Sequence, residues 1–246
     1  MIKLQEAKAM IFAAGLGTRL KPFTDSHPKA LVVVNGKTLL ERNINYLQGF
    51  GITNFVINIH HFAEQIAEFV KRYKDSSINI QLSHEIEGPF ETGGGLVFAS
   101  SFFTGSADPF VVMNADILTD LDLNGMFEFH QKINPLATLA VTKRDSSRQF
   151  LFDDQMKLVG WRNNNTMETR WVGEELASAE PFSFSGIHVL NPAIFELMPA
   201  SGSFSITDVY LKLAASSQII GYNHTGDVVV DVGKPESVVL AETIFH

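Results

Sequence analysis

Two glycines and two cations between residues 13 and 29 form the pattern in this chain that is best suited to chemistry. The segment reads Ala-Ala-Gly-Leu-Gly-Thr-Arg-Leu-Lys-Pro-Phe-Thr-Asp-Ser-His-Pro-Lys and follows a short apolar run that predicts a buried strand. A turn at Gly15 and Gly17 exposes successive backbone N–H groups, which form a concave donor surface for phosphate oxygens. Arg19 stands at the turn, and Lys29 follows behind a proline. A strand, a glycine loop and two spaced cations predict a cradle for a triphosphate.

Two better-known phosphate motifs fail on spacing. A dinucleotide fingerprint needs a third glycine where this chain has Leu20. A Walker A loop needs Gly-Lys-Ser/Thr after four intervening residues, and that sequence is absent. The Gly-Leu-Gly tripeptide alone is typical of an ordinary turn, and its combination with Arg19, Pro22, Thr24 and Lys29 gives the segment its specificity.

The same segment resembles the signature of sugar-1-phosphate nucleotidyltransferases, G-x-G-T/S-R-L-x-P-x-T-x-x-x-P-K. Four further segments resemble motifs of this family, in family order, so that the resemblance covers the chain from about residue 8 to residue 240. They are a second nucleotide-binding turn at 91–95, a first metal aspartate within 114–116, a sugar-side strand at 184–187 and a second metal aspartate within 230–233. The resemblance implies an α/β chain with the three-layer, Rossmann-like fold of nucleotide-diphospho-sugar transferases and a mostly parallel central sheet.

The resemblance also implies a set of site residues. The catalytic residues are Arg19, Lys29 and Asp116, and the ligands of a Mg²⁺ cofactor are Asp116 and Asp231. The nucleotide-binding residues are Ala13, Ala14, Gly15, Gly17, Thr18, Arg19, Lys29, Thr92, Gly93 and Asn114. The candidate sugar-binding residues are Arg148, Glu180, Ser185 and Gly186, which could equally be ordinary polar positions on strands. Thr92 could equally cap the helix that follows it, and the two roles can coexist.

These residue types suit nucleotidyl transfer. An oxygen of the sugar phosphate attacks the α-phosphorus of a nucleoside triphosphate, and pyrophosphate leaves. Both reactants are anions, so fixed cations and a divalent metal must overcome their repulsion and stabilise the leaving group. Arg19 suits the β- and γ-phosphates because its planar fork grips oxygens in pairs. Asp231 lies within an apolar run, where a carboxylate must be paired or ligated.

Within the family, the short length and the Glu-Thr-Gly-Gly-Gly and Phe-Ser-Gly-Ile segments are most similar to N-acetylmuramic acid α-1-phosphate uridylyltransferases of peptidoglycan recycling. That similarity favours UTP and N-acetylmuramic acid 1-phosphate as substrates. Three alternatives remain open: a mannose-1-phosphate guanylyltransferase, a non-catalytic regulatory subunit that senses nucleotide sugars, and a glycosyltransferase of similar fold. The intact cations and aspartates favour catalysis over sensing.

Composition sets the broad class. The chain has 246 residues, 45% of them hydrophobic and 19% charged, as in a globular protein. A net charge of −8 argues against nucleic acid as a partner, and the absence of cysteine excludes thiol chemistry. No apolar window suits a membrane span or a signal peptide, so we expect a cytoplasmic enzyme, monomeric or homodimeric, with no membrane partner.

Apolar runs that alternate with helix-period segments predict βα units in one domain, residues 1–246. We expect a nucleotide-binding half at about 8–120 and a sugar-binding half at about 121–246, where the strands become shorter and more polar. The Gly93–Gly95 segment is expected to form a turn that opens a helix over 96–103.

Overall fold

The computed structural model describes residues 2–73 and 75–246. Its strands are β1 Lys8–Phe12, β2 Val33–Val34, β3 Lys37–Thr38, β4 Asn54–Ile59, β5 Asn79–His84, β6 Phe110–Asn114, β7 Ile117–Thr119, β8 Ala137–Thr142, β9 Arg148–Phe152, β10 Leu158–Asn163, β11 Glu168–Trp171, β12 Glu180–Leu190, β13 Ile219–Asn223 and β14 Val229–Asp231. Its α-helices are α1 Leu39–Gly49, α2 Ala63–Arg72, α3 Glu91–Phe98, α4 Leu123–Ile133, α5 Ile194–Leu197, α6 Ile206–Leu213 and α7 Pro235–Ile244.

One large sheet runs through the molecule and confirms the α/β class. Its strand order is β11-β10-β9-β12-β6-β1-β4-β5, with β8 and β13 attached beside β12. The strands β6, β1, β4 and β5 are parallel, as βα units require. Strand β12 runs antiparallel to β6 and β9, and β9, β10 and β11 form an antiparallel meander. The carboxyl ends of the parallel strands therefore face the meander, where ligands of such sheets bind.

Helices cover both faces of the sheet and make three layers. Alternate residues of β1 enter different cores: Ile11 packs on one face with Leu40 and Ile44 of α1, while Met10 packs on the other with Leu96 of α3. Apolar side chains of α2 and α4 join the first core, and those of α5 and α6 join the second. Among the described residues, every helix is too short or too polar to cross a membrane.

Local signals in the sequence explain several boundaries. Helix α1 begins after Thr38, whose Oγ1 accepts the N–H of Glu41 at 3.1 Å, as its capping pattern predicts. Helix α6 begins after Ser205, whose side chain accepts the N–H of Thr207. The Asn-Pro pair at residues 191–192 predicts a helix start, and only the short α5 follows it.

The glycine-rich segment 93–95 differs from the prediction. It lies inside α3, which spans Glu91–Phe98, and does not form a turn before a helix over 96–103. The reason is tertiary packing, because a Cβ at Gly94 would lie 2.1 Å from the carbonyl oxygen of Gly202. A Cβ at Gly95 would lie 2.6 Å from Glu85 Oε1. The glycines allow neighbouring backbone to approach the helix, and this close contact outweighs their low helix propensity.

Candidate active site

The loop after β1 folds back on itself around Gly17. This glycine has φ +65°, and a Cβ there would lie 3.0 Å from Thr24 Cγ2 and 3.2 Å from Lys29 Cβ. The Thr24 hydroxyl donates to the Gly17 carbonyl at 2.8 Å, which closes the loop. The glycine thus brings the two ends of the signature together and places Lys29 beside the loop backbone.

A cavity of about 430 Å³ opens over this loop. We call it the loop cavity. Its lining residues are Phe12, Ala13, Ala14, Gly15, Leu16, Gly17, Thr18, Arg19, Lys29, Ala30, Asn58, Glu85, Pro89, Glu91, Thr92, Asn114, Ala115, Asp116 and Gly233. Every residue assigned to nucleotide binding from the sequence lies on its wall, except Gly93.

Gly93 is buried behind the wall, and its backbone N–H donates to the Phe204 carbonyl at 2.9 Å. A Cβ at this position would lie 2.5 Å from the Phe204 ring, so the glycine serves helix packing. The structure contradicts the expectation that Thr92 caps the helix that follows it, because Thr92 lies inside α3. It lines the loop cavity, and its Oγ1 accepts the N–H of Ile206 at 3.0 Å, capping α6 and not its own helix.

Two polar residues that sequence reasoning missed close the end of the loop cavity away from the cations. Asn58 Oδ1 accepts the N–H of Ala13 at 2.8 Å, and its Nδ2 donates to Glu85 Oε1 at 2.7 Å. The other carboxylate oxygen of Glu85 accepts the N–H of Phe90. Asn58 interrupts an apolar strand, which is a usable sequence signal, because a buried amide must be hydrogen-bonded.

A second cavity, of about 540 Å³, lies between the carboxyl ends of the parallel strands and the meander. We call it the meander cavity. Its lining residues are Arg19, Asn114, Asp116, Ile117, Arg144, Ser146, Ser147, Arg148, Gln149, Phe150, Trp161, Asn163, Asn165, Phe184, Gly186, Thr207 and Asp231. Sequence reasoning singled out Arg148 and Gly186 for sugar binding but missed Arg144, Gln149 and Trp161.

Two predicted sugar contacts do not line this cavity. Glu180 is 60% exposed and pairs with Lys143 at 2.8 Å, at the end of β12 that is remote from Gly186. Ser185 is 1% exposed, and its Oγ lies 2.8 Å from His224 Nε2 in the interior. Alternation of side chains along β12 turns Ser185 inward, and the bulge before His188 places the buried Gly186 on the cavity wall instead.

Gly186 lets β12 pass close under the site. It has φ +73°, and a Cβ would lie 2.6 Å from Ile117 Cγ1 and 3.0 Å from Asn114 Nδ2. The backbone beside Asn114 is held from the opposite side by Asn43, whose Nδ2 donates to the Ala115 carbonyl at 2.9 Å. The segment that carries Asp116 is therefore fixed from two directions.

The two cavities share Arg19, Asn114 and Asp116 on their walls. At this junction the Lys29 ammonium pairs with Asp116 Oδ2. Asp231 lies nearby, because β14 pairs antiparallel with β7 and Val232 N–H donates to the Asp116 carbonyl at 2.8 Å. The small β7–β14 sheet thus brings the two predicted metal aspartates together.

The two aspartates fit a divalent cation. Asp231 Oδ1 is buried and has no hydrogen-bond partner among residues 2–73 and 75–246. Burial, followed by the charge of Asp116, raises the pKa of Asp231, and Lys29, Arg144 and Arg19 oppose this rise. An orphaned buried carboxylate oxygen facing a second carboxylate is stabilised by a hard cation. Within the described residues no cluster of three or more His, Cys, Asp or Glu side chains surrounds it. Two carboxylates suffice for Mg²⁺, which retains waters and also binds substrate phosphates.

A third apolar core supports the junction from below. It joins Leu20 of the signature loop, Val230 and Val232 beside Asp231, and Val238 of α7. The loop with the cations and the strand with the second aspartate therefore pack into the same apolar core. This shared packing fixes the distance between the cations and Asp231.

Comparison with known proteins agrees with this architecture. Residues 8–151 match the sequence family described as Nucleotidyl transferase. Relatives include the mannose-1-phosphate guanyltransferase of Yarrowia lipolytica, 26% identical over 239 residues, and the probable mannose-1-phosphate guanylyltransferase 2 of Oryza sativa subsp. japonica, 28% identical over 241 residues. Both alignments cover 97% of this chain, which spans 64% of the length of these relatives.

Two solved structures share the fold. HddC from Yersinia pseudotuberculosis complexed with GMP-PN has a TM-score of 0.77 and 22% identity, covering 98% of this chain and 100% of that one. UTP-bound UGPase from Acinetobacter baumannii has a TM-score of 0.77 and 19% identity, covering 99% of this chain and 93% of that one. The predicted nucleotide-diphospho-sugar transferase fold is confirmed. Because the family match covers more than half of the residues of this chain, the chain belongs to the nucleotidyl transferase family.

Proposed function

We propose that this protein transfers a nucleotidyl group from a nucleoside triphosphate to a sugar 1-phosphate, with release of pyrophosphate. One observation carries the proposal: a loop cavity and a polar meander cavity meet at Arg19, Asn114 and Asp116. A reaction between two phosphorylated substrates needs two adjoining sites with the charge-stabilising groups at their junction. The names of the curated relatives, which are mannose-1-phosphate guanylyltransferases, support the same reaction class.

In this proposal the loop cavity binds the triphosphate. The backbone N–H groups of residues 15–18 face the phosphates, and Arg19 grips the β- and γ-oxygens. Lys29 contributes a compact charge beside the α-phosphate, at the junction where its ammonium pairs with Asp116. The base then lies at the opposite end, against Asn58 and Glu85.

The sugar 1-phosphate enters from the meander cavity, and its phosphate is the nucleophile. This group is already ionised at neutral pH, so no side chain needs to remove a proton. The residues at the junction position the two substrates for in-line attack and reduce their mutual repulsion. Asp116 and Asp231 are the residues that would hold Mg²⁺, which supplies charge stabilisation for the α-phosphate and the departing pyrophosphate.

Two substrate pairs are supported by different observations. Among the described residues, the lining of the meander cavity carries three arginines, Arg19, Arg144 and Arg148, against two acidic residues, Asp116 and Asp231. A positively charged sugar cavity favours a sugar that bears a carboxylate, in accord with the predicted N-acetylmuramic acid 1-phosphate and UTP. Mannose 1-phosphate and GTP form the second candidate pair, which the names of the relatives favour.

The test measures pyrophosphate release with Mg²⁺ across UTP, GTP, CTP, ATP and dTTP. The acceptor panel contains the 1-phosphates of N-acetylmuramic acid, N-acetylglucosamine, mannose and glucose. Turnover confined to UTP with N-acetylmuramic acid 1-phosphate would support the first pair, and GTP with mannose 1-phosphate would replace it with the second. Nucleotide-sugar binding without any turnover would overturn catalysis in favour of a sensing subunit.

The variant Arg148→Gln sharpens the choice of sugar. N-Acetylmuramic and N-acetylglucosamine 1-phosphates differ by a carboxylate-bearing ether, so the ratio of their kcat/KM values is an internal control. If Arg148 binds that carboxylate, the ratio falls about 10-fold in the variant, as expected for one charge-assisted hydrogen bond. An unchanged ratio would exclude Arg148 from recognising the carboxylate.

A further inference from the structure

Two consecutive cations at the end of β8 have different environments. Lys143 is 56% exposed, and its ammonium pairs with Glu180 and lies 5.3 Å from the centre of the Phe182 ring. Arg144 turns to the other side, is half-buried and lines the meander cavity. The first cation is thus neutralised on the surface, while the second faces the site.

Arg144 is fixed in place but lacks a counter-ion. Its Nη2 donates to the Phe184 carbonyl at 3.0 Å, and its own carbonyl accepts the Ser183 hydroxyl at 2.6 Å. Its Nε is buried and has no hydrogen-bond partner among the described residues. No carboxylate of residues 2–73 and 75–246 forms an ion pair with it. A half-buried guanidinium in this state is stabilised by an anion that arrives from outside the chain.

The other arginines near the meander cavity have different positions or partners. Arg162 donates through Nε and Nη2 to Gln149 Oε1, at 3.1 and 2.8 Å. Arg170 pairs with Asp208 at 2.7 Å and stacks over Trp161. Arg148 is exposed at the outer end of β9. Arg144 therefore stands apart as the half-buried arginine of this cavity without an ion-pair or side-chain partner.

Arg144 also lies close to the reacting end of the site. Its charge is one of those that act on Asp231, together with Lys29 and Arg19 from the side of the loop cavity. It shares the wall of the meander cavity with Asp116 and Asp231. An anion held by Arg144 would therefore sit at the junction, on the side opposite to the triphosphate cradle.

We propose that Arg144 binds the phosphate group of the incoming sugar 1-phosphate and orients one of the phosphate oxygens for attack on the α-phosphorus. This inference rests on the proposed function, since it assigns the second substrate's phosphate to one residue. Lys29, already paired with Asp116, serves the triphosphate side, and Arg144 serves the acceptor side. The guanidinium fork suits a phosphate, because two parallel N–H donors hold two of its oxygens.

The test measures the binding of each sugar 1-phosphate in the panel above, and of UTP and GTP, by calorimetry. Arg144→Gln is compared with the matched control Lys143→Gln and with Arg144→Lys. We expect Arg144→Gln to lower the affinity for whichever sugar 1-phosphate the wild-type protein binds. The expected loss is about 30-fold, as for removal of a charged hydrogen-bond partner. Nucleotide affinity stays within about twofold, Lys143→Gln behaves as wild type, and Arg144→Lys recovers part of the loss.

The possible failures are distinct. Wild-type affinity for the sugar 1-phosphate in Arg144→Gln would overturn the assignment while leaving the proposed function intact. A parallel loss of nucleotide affinity would show a structural role and would also overturn it. Wild-type protein that binds nucleotide but none of the sugar 1-phosphates would overturn the proposed function itself. If Arg144→Gln does not fold, Arg144→Lys decides, because a raised KM for sugar 1-phosphate at unchanged nucleotide KM is expected only for a phosphate contact.

Discussion

The loop cavity and the meander cavity share a wall but are built in different ways. The loop cavity takes about half of its lining from one continuous segment, residues 12–30, with Gly17 folding that segment onto Lys29. The meander cavity collects residues from β9, β10, β12 and α6 and from the loops beside them, together with residues such as Asn114 and Asp231 at other strand ends. A short segment can encode a phosphate cradle through its own backbone conformation, whereas a strand-lined cavity depends on register and on side-chain alternation.

The largest effect is expected at the loop cavity. Lys29→Gln removes the ammonium at the junction and leaves Asp116 without its ion-pair partner. We expect kcat/KM to fall by an amount equivalent to about 3–4 kcal/mol of transition-state stabilisation. Lys21→Gln is the control, because Lys21 belongs to the same loop but is exposed and pairs with Asp25 on the surface. Comparable losses in both variants would mean that the loop acts through its overall charge.

Acid should lower the free energy of unfolding through two buried histidines that lie outside the meander. His130 of α4 and His188 of β12 are buried, and burial lowers their pKa values to about 4 and about 3. As the pH falls, the two histidines are protonated near pH 6.5 in the unfolded chain but only at lower pH in the folded protein. Stability is therefore complete above pH 6.5 and is lost as the pH falls toward 4. His130 alone accounts for about 2 kcal/mol of the free energy of unfolding between pH 7 and pH 5.

The measurement is urea unfolding at several pH values. His130→Gln should remove about 2 kcal/mol of the pH-dependent loss, whatever its stability at pH 7. The control is His61→Gln, which removes an exposed histidine, and an equal change in both variants would mean that burial of His130 is not the cause. If the free energy of unfolding of His130→Gln keeps its full pH dependence, a group other than His130 is responsible for the loss of stability in acid.

The junction can be tested through the metal. Asp231→Asn keeps the shape of the side chain but replaces the buried carboxylate whose Oδ1 has no hydrogen-bond partner among the described residues. We expect Mg²⁺ or Mn²⁺ affinity, measured by calorimetry or Mn²⁺ resonance with nucleotide present, to fall at least about 10-fold. The exposed Asp154→Asn is the control. Unchanged metal affinity would remove Asp231 from the proposed ligands.

The smallest effect concerns the contact between α3 and the loop before α6. In Gly94→Ala the new methyl group would meet the Gly202 carbonyl at 2.1 Å, so the loop must move. We expect a loss of about 1 kcal/mol in the free energy of unfolding. Gly49→Ala is the control, because a Cβ there meets nothing within 4 Å at the end of α1. Equal stability of the two variants would show that the loop yields without cost.

Local and long-range features were not equally predictable. The capping pattern of α1 and the parallel centre of the sheet follow from residues close together in sequence, and the structure confirms them. The prediction of a turn at Gly93–Gly95 was wrong. The groups that require glycine there belong to residues 85 and 202–204, which are distant in sequence. Glu180 was a candidate for the sugar site that could equally have been an ordinary polar position on a strand, and it lies at the end of β12 remote from that cavity.

The sequence by itself determined the glycine loop with its cations Arg19 and Lys29, which depend on one contiguous run of residues, and the family, which depends on five short segments in a fixed order. Only the tertiary structure decided that Asp116 and Asp231 meet through the β7–β14 pair. It also decided that Arg144 faces the site while Lys143 faces solvent. The physical reason is the separation in sequence of the interacting residues. Backbone conformation is set by neighbours in the chain, whereas the side of a sheet on which a strand residue lies is set by pairing with distant strands.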